Sequence, residues 1–353
     1  MKTTIKDIAR KLDLSANTVS KALRGKPQVS EETRALIFKT AQQMNYVPSE
    51  HARALVRKEL RIAVVYPVEP HEFYRYIAQG VQAAKQELAD HRCIVIEYPF
   101  ESLERPDEFA QILDGLLNED IHALILTCAH REEVYRDALR MIGMKGIPIF
   151  YNTIFGPPTA NLIGGVRINT SKSGKIAAEY LNNTIPARSS RKVALLVGEK
   201  NLLVHRECID GFCEDAGKYG FDVVGIYETY EERRLAYELT DRLMRLHPDL
   251  GGLYVTSYNS PGACDWFEEH PSNNHVVVIG HDLYPALNEK LRSRTLSATL
   301  FQNQFELARE SLRVMFEYLT GTREESECTK LFIPQIVLSS MLDFFTYYDR
   351  EMP

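Results

Sequence analysis

The sequence predicts an α/β body of two doubly wound lobes, preceded by a small N-terminal all-α domain. Amphipathic helical periods fill the first 47 residues, whereas short apolar runs alternate with helical stretches from residue 61 onward. Such alternation is typical of parallel sheets with helices on both faces. The body is roughly 290 residues long, which is more than one hydrophobic core comfortably serves. We therefore expect two lobes, about 61–165 with 295–325 and about 166–294 with 326–353.

The composition is that of an ordinary globular protein. Hydrophobic residues make up 44% and charged residues 25% of the 353 residues, both close to average usage. No run approaches the ~18 apolar residues of a membrane span, and the first residues lack the apolar stretch of a secretory signal. The six cysteines are scattered, without a C-x-x-C pair or histidines at zinc-binding spacing. We expect a cytoplasmic protein with free thiols and with no metal site, cofactor or membrane contact.

The charge is divided unequally along the chain. Residues 1–60 contain 12 Lys or Arg against 6 Asp or Glu, whereas residues 61–353 contain 30 against 42. The first part therefore has a net charge of +6 and the second part −12, within a total of −6. A basic segment on an acidic body is expected when only that segment meets a polyanion such as DNA.

The basic segment has the pattern of three short helices. Thr4 and Asp7 have the spacing of a capping box, and Ser15 is placed to cap a second helix. The predicted inner face of this second helix comprises Val19, Ala22 and Leu23. Its opposite face has short polar or basic side chains and no acid, which suits close approach to phosphates and base edges. A third helix starts at residues 30–32 and is expected to bury Leu36, Ile37, Ala41 and Met44.

Three stretches of this segment, TIKDIA (4–9), SANTVS (15–20) and NYVP (45–48), resemble a known DNA-binding head. They are similar to the head of the lactose-repressor (LacI/GalR) family of transcription factors. The resemblance implies a helix-turn-helix domain over 1–47, with Ala16, Asn17 and Lys21 reading bases in the major groove. Where the family usually has a turn glycine, this chain has Asp13, which tolerates the left-handed conformation. The DNA contacts implied in this domain are Thr4, Ser15, Ala16, Asn17, Thr18, Ser20 and Lys21.

Residues 48–60 are predicted to form a hinge helix and linker. An isolated helix of this length is marginal in water, so we expect it to become ordered only against a partner. The resemblance implies that this partner is the minor groove together with the same helix of a second subunit. It makes Leu55 the apolar wedge that opens a base step and places Arg53 and Arg57 against phosphates. A plain interdomain linker is the alternative.

Nine apolar runs of the body are strand candidates, and helical stretches such as 76–89, 206–218 and 305–320 separate several of them. The candidates are 61–66, 93–98, 123–127, 147–151, 192–197, 223–227, 252–256, 275–279 and 296–300. The order of these features resembles that of the type I sugar-binding proteins of the periplasm. Ligands of open α/β lobes bind beyond the carboxyl ends of the strands. The informative side chains are therefore the polar and aromatic ones that follow each strand.

Several of these side chains match positions at which this group binds sugars. Phe73 and Tyr74 precede Gly80 by seven and six residues, and Arg206 precedes the Gly-Phe pair at 211–212 by five. Asp282 and Gln302 end two later strands. Aromatic faces, a guanidinium, a carboxylate and an amide suit the C–H face and the paired hydroxyls of a sugar. The other strand-end residues in the predicted ligand set are His71, Asn152, Ser257 and Asn259. Core packing, a structural ion pair and a helix cap are the alternative roles for these side chains.

No catalytic motif is found, since the sequence lacks a G-x-S-x-G elbow, a Walker A loop, a G-x-G-x-x-G turn and an H-E-x-x-H helix. The Gly164-Gly165 pair is interpreted as a turn. We expect a non-enzymatic, sequence-specific DNA-binding regulator, by resemblance a repressor, that binds a palindromic operator as a homodimer. A sugar between the lobes would weaken or tighten operator binding. The alternatives are a regulator whose body binds a partner protein and, against the evidence of the DNA-binding head, a transport-type sugar receptor.

Overall fold

A computed structural model describes residues 5–23, 29–44 and 59–349. The chain divides into two compact units, Met1–Leu60 with Gln86–Ile94 and Arg61–Lys85 with Val95–Pro353. The first unit therefore adds residues 86–94 to the predicted head and hinge. A backbone hydrogen bond contributes to this grouping, since the N–H of Leu60 donates to the carbonyl of Arg92 at 2.9 Å.

The described part of the head consists of three helices, α1 (Ile5–Leu12), α2 (Ala16–Leu23) and α3 (Glu31–Gln43). Ser15 caps α2, because its Oγ accepts a hydrogen bond from the backbone N–H of Thr18 at 3.0 Å. Asp13 has a φ of 53°, so the predicted left-handed turn between α1 and α2 is confirmed. A small apolar core joins the helices through Ile8, Val19, Ala22 and Ile37, all 0% exposed.

One predicted core residue of α3 is corrected by the structure. Leu36 is 51% exposed, whereas its neighbour Ile37 is fully buried. Successive residues of a helix point about 100° apart, so the two side chains cannot share the inner face. The apolar face of α3 therefore runs through Ile37 and Ala41, which is 6% exposed.

The body alternates strands and helices, as predicted, and each of the nine strand candidates overlaps an observed strand. The strands are β1 (Leu60–Glu69), β2 (Cys93–Ser102), β3 (Ala123–Leu126), β4 (Ile149–Asn152), β5 (Leu162–Ile168), β6 (Lys192–Val197), β7 (Asp222–Glu228), β8 (Gly252–Val255), β9 (Val277–His281), β10 (Ala298–Phe301), β11 (Lys330–Phe332) and β12 (Gln335–Val337). The helices are α4 (His71–Ala89), α5 (Pro106–Leu116), α6 (Arg136–Met144), α7 (Thr170–Thr184), α8 (Leu203–Lys218), α9 (Arg233–Leu246), α10 (Ser260–Glu269), α11 (Pro285–Arg292) and α12 (Gln304–Leu319). Short 3₁₀ segments are Glu132–Val134, Pro271–Asn273, Glu325–Glu327 and Ser339–Asp349.

The strands form two six-stranded sheets, which define the two lobes. The first sheet has the order β11-β5-β4-β3-β1-β2 and the second has the order β12-β10-β9-β8-β6-β7. The pairing is parallel between β1 and β3, β3 and β4, β6 and β8, and β8 and β9. The edge strand β12 runs antiparallel to β10. In the described part of the chain, no helix combines the length and the apolar character needed to cross a membrane.

The chain passes between the lobes three times, which corrects the predicted lobe boundaries. It leaves the first sheet after Ile168, returns after Phe301 to pack α12 on β3, β4 and β5, and passes from β11 to β12 after Phe332. Strand β10 therefore belongs to the second lobe, whereas the sequence predicts residues 295–325 in the first lobe. Strand β11 belongs to the first lobe although 326–353 was assigned to the second. A three-residue strand has too short an apolar pattern to reveal which sheet it joins.

The interpretation of Gly164-Gly165 as a turn is wrong. Both residues lie inside β5, where Gly164 pairs with Phe150 of β4 beside a register shift. The φ of Gly164 is 142°, and a Cβ there would lie 2.8 Å from Thr329 Oγ1. Glycine in a strand interior often marks such an irregularity or a close approach.

A glycine of the second lobe provides the first prediction. On α7, a Cβ at Gly174 would come closer than 3.0 Å to backbone atoms of Cys208 and Phe212 on α8. Because backbone atoms have little room to move, Gly174→Ala should destabilise the protein by about 1–3 kcal/mol. The measurement is the free energy of unfolding from urea titration.

Gly217→Ala on α8 is the matched control, because nothing lies within 4 Å of a Cβ at that position. Alanine is the better helix former, so this variant should be neutral or more stable by up to about 1 kcal/mol. Equal unfolding free energies for the two variants would show that the close approach of α7 and α8 is not required.

Candidate functional site

A cavity of about 340 Å³ opens between the two sheets, within the size range of small-molecule sites. Its walls are the segments that follow β1, β2, β3 and β4 of the first sheet and β6, β7, β8, β9 and β10 of the second. The carboxyl ends of parallel strands therefore converge on it, which is the usual place for a ligand in an open α/β lobe.

The wall from the first lobe is largely aromatic and aliphatic. Phe73 and Tyr74 begin α4, and their rings meet edge to face with centroids 4.9 Å apart. Tyr74 is buried, whereas Phe73 is partly exposed. Leu103 and Ile154 extend this wall. Such a surface can pack against the apolar face of a ring-shaped ligand.

Asp282 is the most buried acid of the cavity. It follows β9 directly, has a φ of 73° and is 3% exposed. Its Oδ1 accepts hydrogen bonds from Nε2 of Gln302 at 2.9 Å and from Nε2 of Gln304 at 2.7 Å. Burial raises the pKa of this carboxyl to about 7, the two amide donors oppose the rise, and the charge of Glu231 adds to it. Among the described residues, none donates a hydrogen bond to Oδ2.

Glu231 is a second acid in the wall of the second lobe. Its Oε1 lies 3.4 Å from Nε2 of His205, whose Nδ1 is 3.2 Å from Thr256 Oγ1. Its Oε2 is buried without a hydrogen-bond partner in the described part of the chain. A Cβ at Gly198 would come closer than 3.0 Å to both members of the Glu231–His205 pair. Glycine at the end of β6 therefore makes room for this pair.

A chain of polar side chains lies beneath the same wall. The Tyr254 hydroxyl is 2.6 Å from His281 Nε2 and 2.9 Å from Cys208 Sγ. Burial, together with the charge of His205, lowers the pKa of His281 to about 3, so its imidazole is neutral. A neutral imidazole accepts at Nε2 when Tyr254 donates, and Tyr254 can then accept from the Cys208 thiol.

Strained backbone is concentrated at the cavity. Thr153, Tyr230, Glu231 and Asp282 all line it, and all have positive φ values of 64°, 48°, 58° and 73°. Such conformations cost roughly 1–3 kcal/mol each for residues other than glycine and are common at ligand sites. These backbone conformations orient the side chains differently from those at a regular strand end.

A group that could hold a divalent ion lies at another part of the cavity. Ligand atoms of Glu104, His130 and Glu199 all lie within 4.8 Å of one another, and His130 Nδ1 is 2.6 Å from Glu104 Oε1. Carboxylates and imidazole suit first-row divalent metals. The sequence does not reveal this group, because its members come from three separate loops with no characteristic spacing.

The structure brings five of the nine predicted ligand residues to the cavity. They are Phe73, Tyr74, Ser257, Asp282 and Gln302. The four that do not line it are His71, Asn152, Arg206 and Asn259. His71 is exposed at the first turn of α4. Asn152 is buried and accepts a hydrogen bond from Ser311 Oγ of α12 at 3.2 Å. Asn259 accepts one from Ser257 Oγ at 2.5 Å.

The position of Arg206 is the most important correction. Its side chain is exposed on α8, whereas Val204, His205 and Cys208 of the same helix line the cavity. These positions share one helix face, and position 206 points about 100° from position 205. A spacing measured to the Gly-Phe pair therefore does not identify the inward face of α8.

Three residues of the second lobe that line the cavity, Glu199, His205 and Glu231, are not in the predicted ligand set. Glu199 and Glu231 come two and three residues after β6 and β7, so the rule that polar residues after strands face the ligand could have found them. His205 could have been found only from the rotation of α8 about its axis, which the structure provides.

The outer face of α2 is the candidate DNA-binding surface. Ser15 and Ala16 are exposed, and Thr18 and Lys21 are partly exposed. The predicted contacts Thr4, Arg53 and Leu55 lie outside the described residues, as do the side chains of Asn17 and Ser20.

Comparison with known proteins matches two parts of the chain to two different families. Residues 4–49 match the family model of bacterial regulatory proteins of the lacI family, and residues 62–323 match that of the periplasmic binding protein domain. The transcriptional regulator MalR of Streptococcus pneumoniae is 25% identical over 93% of this chain and 96% of its own length. Catabolite control protein A of Staphylococcus aureus is 23% identical over 63% of this chain and 64% of its own. The glucose-galactose binding protein GanP of Geobacillus stearothermophilus matches 81% of this chain and 99% of its own, with a TM-score of 0.69 and 21% identity.

Proposed function

The chain belongs to the lacI family of bacterial regulatory proteins, with a periplasmic-binding-protein domain as its body, and from this premise we propose how it is regulated. It is a DNA-binding transcriptional regulator, in our proposal a repressor, whose operator affinity is set by a small polyhydroxylated ligand. The observation that carries the proposal is the cavity between the sheets, lined by strand ends of both lobes. A ligand there contacts both lobes at once, so its binding can favour one arrangement of the lobes.

The hydrogen bonds of Asp282 suggest how ligand binding reaches the rest of the molecule. Gln302 and Gln304, which donate to its carboxylate, flank the point where the chain passes from β10 of the second lobe to α12 on the first. A ligand that binds Asp282 changes the charge and the hydrogen-bond partners of its carboxylate, to which Gln302 and Gln304 of this crossover donate. The crossover is therefore the element through which we expect lobe movement to follow binding.

On the DNA side, we propose a homodimer on a palindromic operator, with two copies of α2 in successive major grooves. Leu55 would be the minor-groove wedge, and Arg53 would contact a phosphate, as the family resemblance implies. The match to MalR of Streptococcus pneumoniae, which covers 93% of this chain and is named an HTH-type transcriptional regulator, supports DNA binding by the head. A regulator acts where its operator lies, so we place the protein in the cytoplasm.

Ligand control has two possible signs, induction and corepression, and the linkage is the same for both. A body that binds a partner protein instead is the second candidate, but the cavity lined by strand ends of both lobes favours a small molecule. Nor do we propose catalysis, because the acids of the cavity are not accompanied by an activated nucleophile.

The regulator proposal is tested by fluorescence anisotropy of the full chain on the palindrome upstream of its own gene. We expect that duplex to bind at least 100-fold more tightly than a scrambled duplex at the same salt concentration, since specific affinities typically exceed non-specific ones by 10³ or more. Equal affinity for both duplexes would contradict sequence-specific regulation at this site.

A further inference from the structure

We infer that the ligand of the cavity carries a positive charge, as a protonated amine does, and that Asp282 and Glu231 bind this charge. The chemical class is a polyhydroxylated amine such as an amino sugar. The inference rests on the proposed function, because it specifies the effector of the same cavity.

The walls of the cavity carry more acidic than basic side chains. Five carboxylates and three histidines line the cavity, and within the described part of the chain no lysine or arginine lines it. His130 lies 2.6 Å from Glu104 and His205 lies 3.4 Å from Glu231, and the carboxylates outnumber these two imidazoles by three even when both are protonated. The carboxylates are those of Glu69, Glu104, Glu199, Glu231 and Asp282. The buried imidazole of His281 is neutral. A phosphate or carboxylate on the ligand would therefore be repelled, whereas a cation would be attracted.

The carboxylates of Asp282 and Glu231 each have an oxygen atom to which no described residue donates. Both amide donors of Asp282 contact Oδ1, and Glu231 Oε2 is buried without a partner. Burying a carboxylate oxygen without a hydrogen bond is costly. An ammonium group presents three donors and no acceptor, so it can donate to Glu231 Oε2 and also to Asp282 Oδ2, to which no described residue donates. A hydroxyl has only one donor and leaves the charge uncompensated.

The charges of the two acids act on the same buried groups. Burial raises the pKa of Asp282 most, and the negative charge of Glu231 raises it further. Burial also has the largest effect on the pKa of the Tyr74 hydroxyl, which the charges of Glu231 and Asp282 raise further. Like-charged carboxylates in one cavity repel each other, and a cation between them removes that repulsion.

Aromatic rings also line the cavity. Phe73, Tyr74 and Tyr258 line the same cavity as the two acids. Aromatic faces attract cations by about 0.5–2 kcal/mol, more strongly when the site excludes water. A carboxylate pair beside aromatic rings therefore favours an ammonium group over an uncharged substituent of the same size.

The test uses matched compounds on the purified full chain, with EDTA present to keep divalent ions from Glu104, His130 and Glu199. The set comprises D-glucosamine, D-glucose, N-acetyl-D-glucosamine, D-galactosamine, D-galactose, D-glucose 6-phosphate and the non-sugar amine putrescine. Melting temperature identifies binders, since a ligand of the native state raises it, and calorimetry gives their dissociation constants. We expect at least one amino sugar to bind tenfold or more tightly than both its neutral parent and its N-acetyl form.

Glu231→Gln tests the assigned residue because it removes the charge and keeps the shape. The affinity for the amino sugar should fall at least tenfold, which is about 1.4 kcal/mol, while any binding of the neutral parent changes less than threefold. The control is Glu228→Gln at the end of β7, three residues before Glu231, whose side chain accepts a hydrogen bond from the Lys200 N–H and does not line the cavity. It should leave both affinities unchanged.

The outcomes separate this inference from the proposed function. A neutral sugar or a sugar phosphate that binds as tightly as the amines overturns the inference and keeps the sugar effector. Binding of putrescine without any sugar supports the positive charge and overturns the polyhydroxylated ligand. No binding by any compound overturns both, and equal losses in Glu231→Gln and Glu228→Gln overturn the role of Glu231.

Discussion

Replacing Asp282 by asparagine should abolish the response to the effector and, at the same time, make the ligand-free protein more stable. The carboxylate is 3% exposed, and hydrogen bonds to charged groups contribute roughly 1.5–3 kcal/mol each. Losing one such bond to the ligand weakens binding by about 10–150-fold. Asn Oδ1 can still accept from Gln302 and Gln304, so the local structure should persist.

The gain in stability should depend on pH. Burial raises the pKa of Asp282 to about 7, whereas an unfolded aspartate has a pKa of about 3.9. The folded state therefore holds the proton more tightly. The stability that this protonated carboxyl provides is complete below about pH 4 and is lost as the pH rises to about 7. The groups that interact with it are Glu231, Tyr74, Tyr254 and Tyr284.

Urea titrations at pH 4.5 and pH 8 measure this effect. The stability advantage of Asp282→Asn should be small at pH 4.5 and reach the order of 3 kcal/mol at pH 8. Arg206→Ala is the control for binding, because Arg206 is exposed and does not line the cavity. Its ligand affinity should stay within twofold of the wild type. A normal effector response in Asp282→Asn would show that the ligand does not use this carboxylate.

Ala16→Glu should lower specific operator affinity by at least about 100-fold, since a good base contact is worth about 1–3 kcal/mol and the proposed homodimer would make it twice. Ala16 is exposed at the first position of α2, on the face that we propose enters the major groove. A glutamate there faces phosphates and base edges with a like charge. It also lies at a helix N-terminus, where an acid is favourable, so the head should remain folded.

Ala35→Glu on α3 is the matched control because Ala35 is also exposed and undergoes the same change. It should lower operator affinity by no more than the small, sequence-independent effect of one extra negative charge. Anisotropy on the operator and on a scrambled duplex distinguishes the two variants. Equal losses in both would contradict the assignment of α2 as the reading helix.

The fold could be predicted from the sequence where periodicity was strong. Helices α1 to α3 and the long apolar strands were found because their patterns recur over several turns or residues. The short strands β11 and β12 have three residues each, too few to establish a pattern. Strand β5 was missed because its glycine pair has the composition of a turn.

The site could be predicted only in part, for a different reason. The rule that polar and aromatic residues after strands face the ligand leads to Phe73, Ser257 and Asp282, which line the cavity, since strand ends fix a position along the chain. The family spacing that predicts Arg206 does not bring it there, because a helix residue also needs the correct rotation about the axis. The Glu231–His205 pair depends on space left by Gly198, which is a three-dimensional property that one sequence does not display.

The measurement that tests the account most directly is the coupling between the cavity and the operator. Anisotropy titrations on the palindrome would be made with and without a saturating amount of whichever of the matched sugars or amino sugars binds most tightly. The account predicts at least a tenfold change in operator affinity, about 1.4 kcal/mol, in the wild type. It predicts no change in Asp282→Asn at the same concentration. Unchanged operator affinity in a wild-type protein whose cavity is saturated would contradict control by this site.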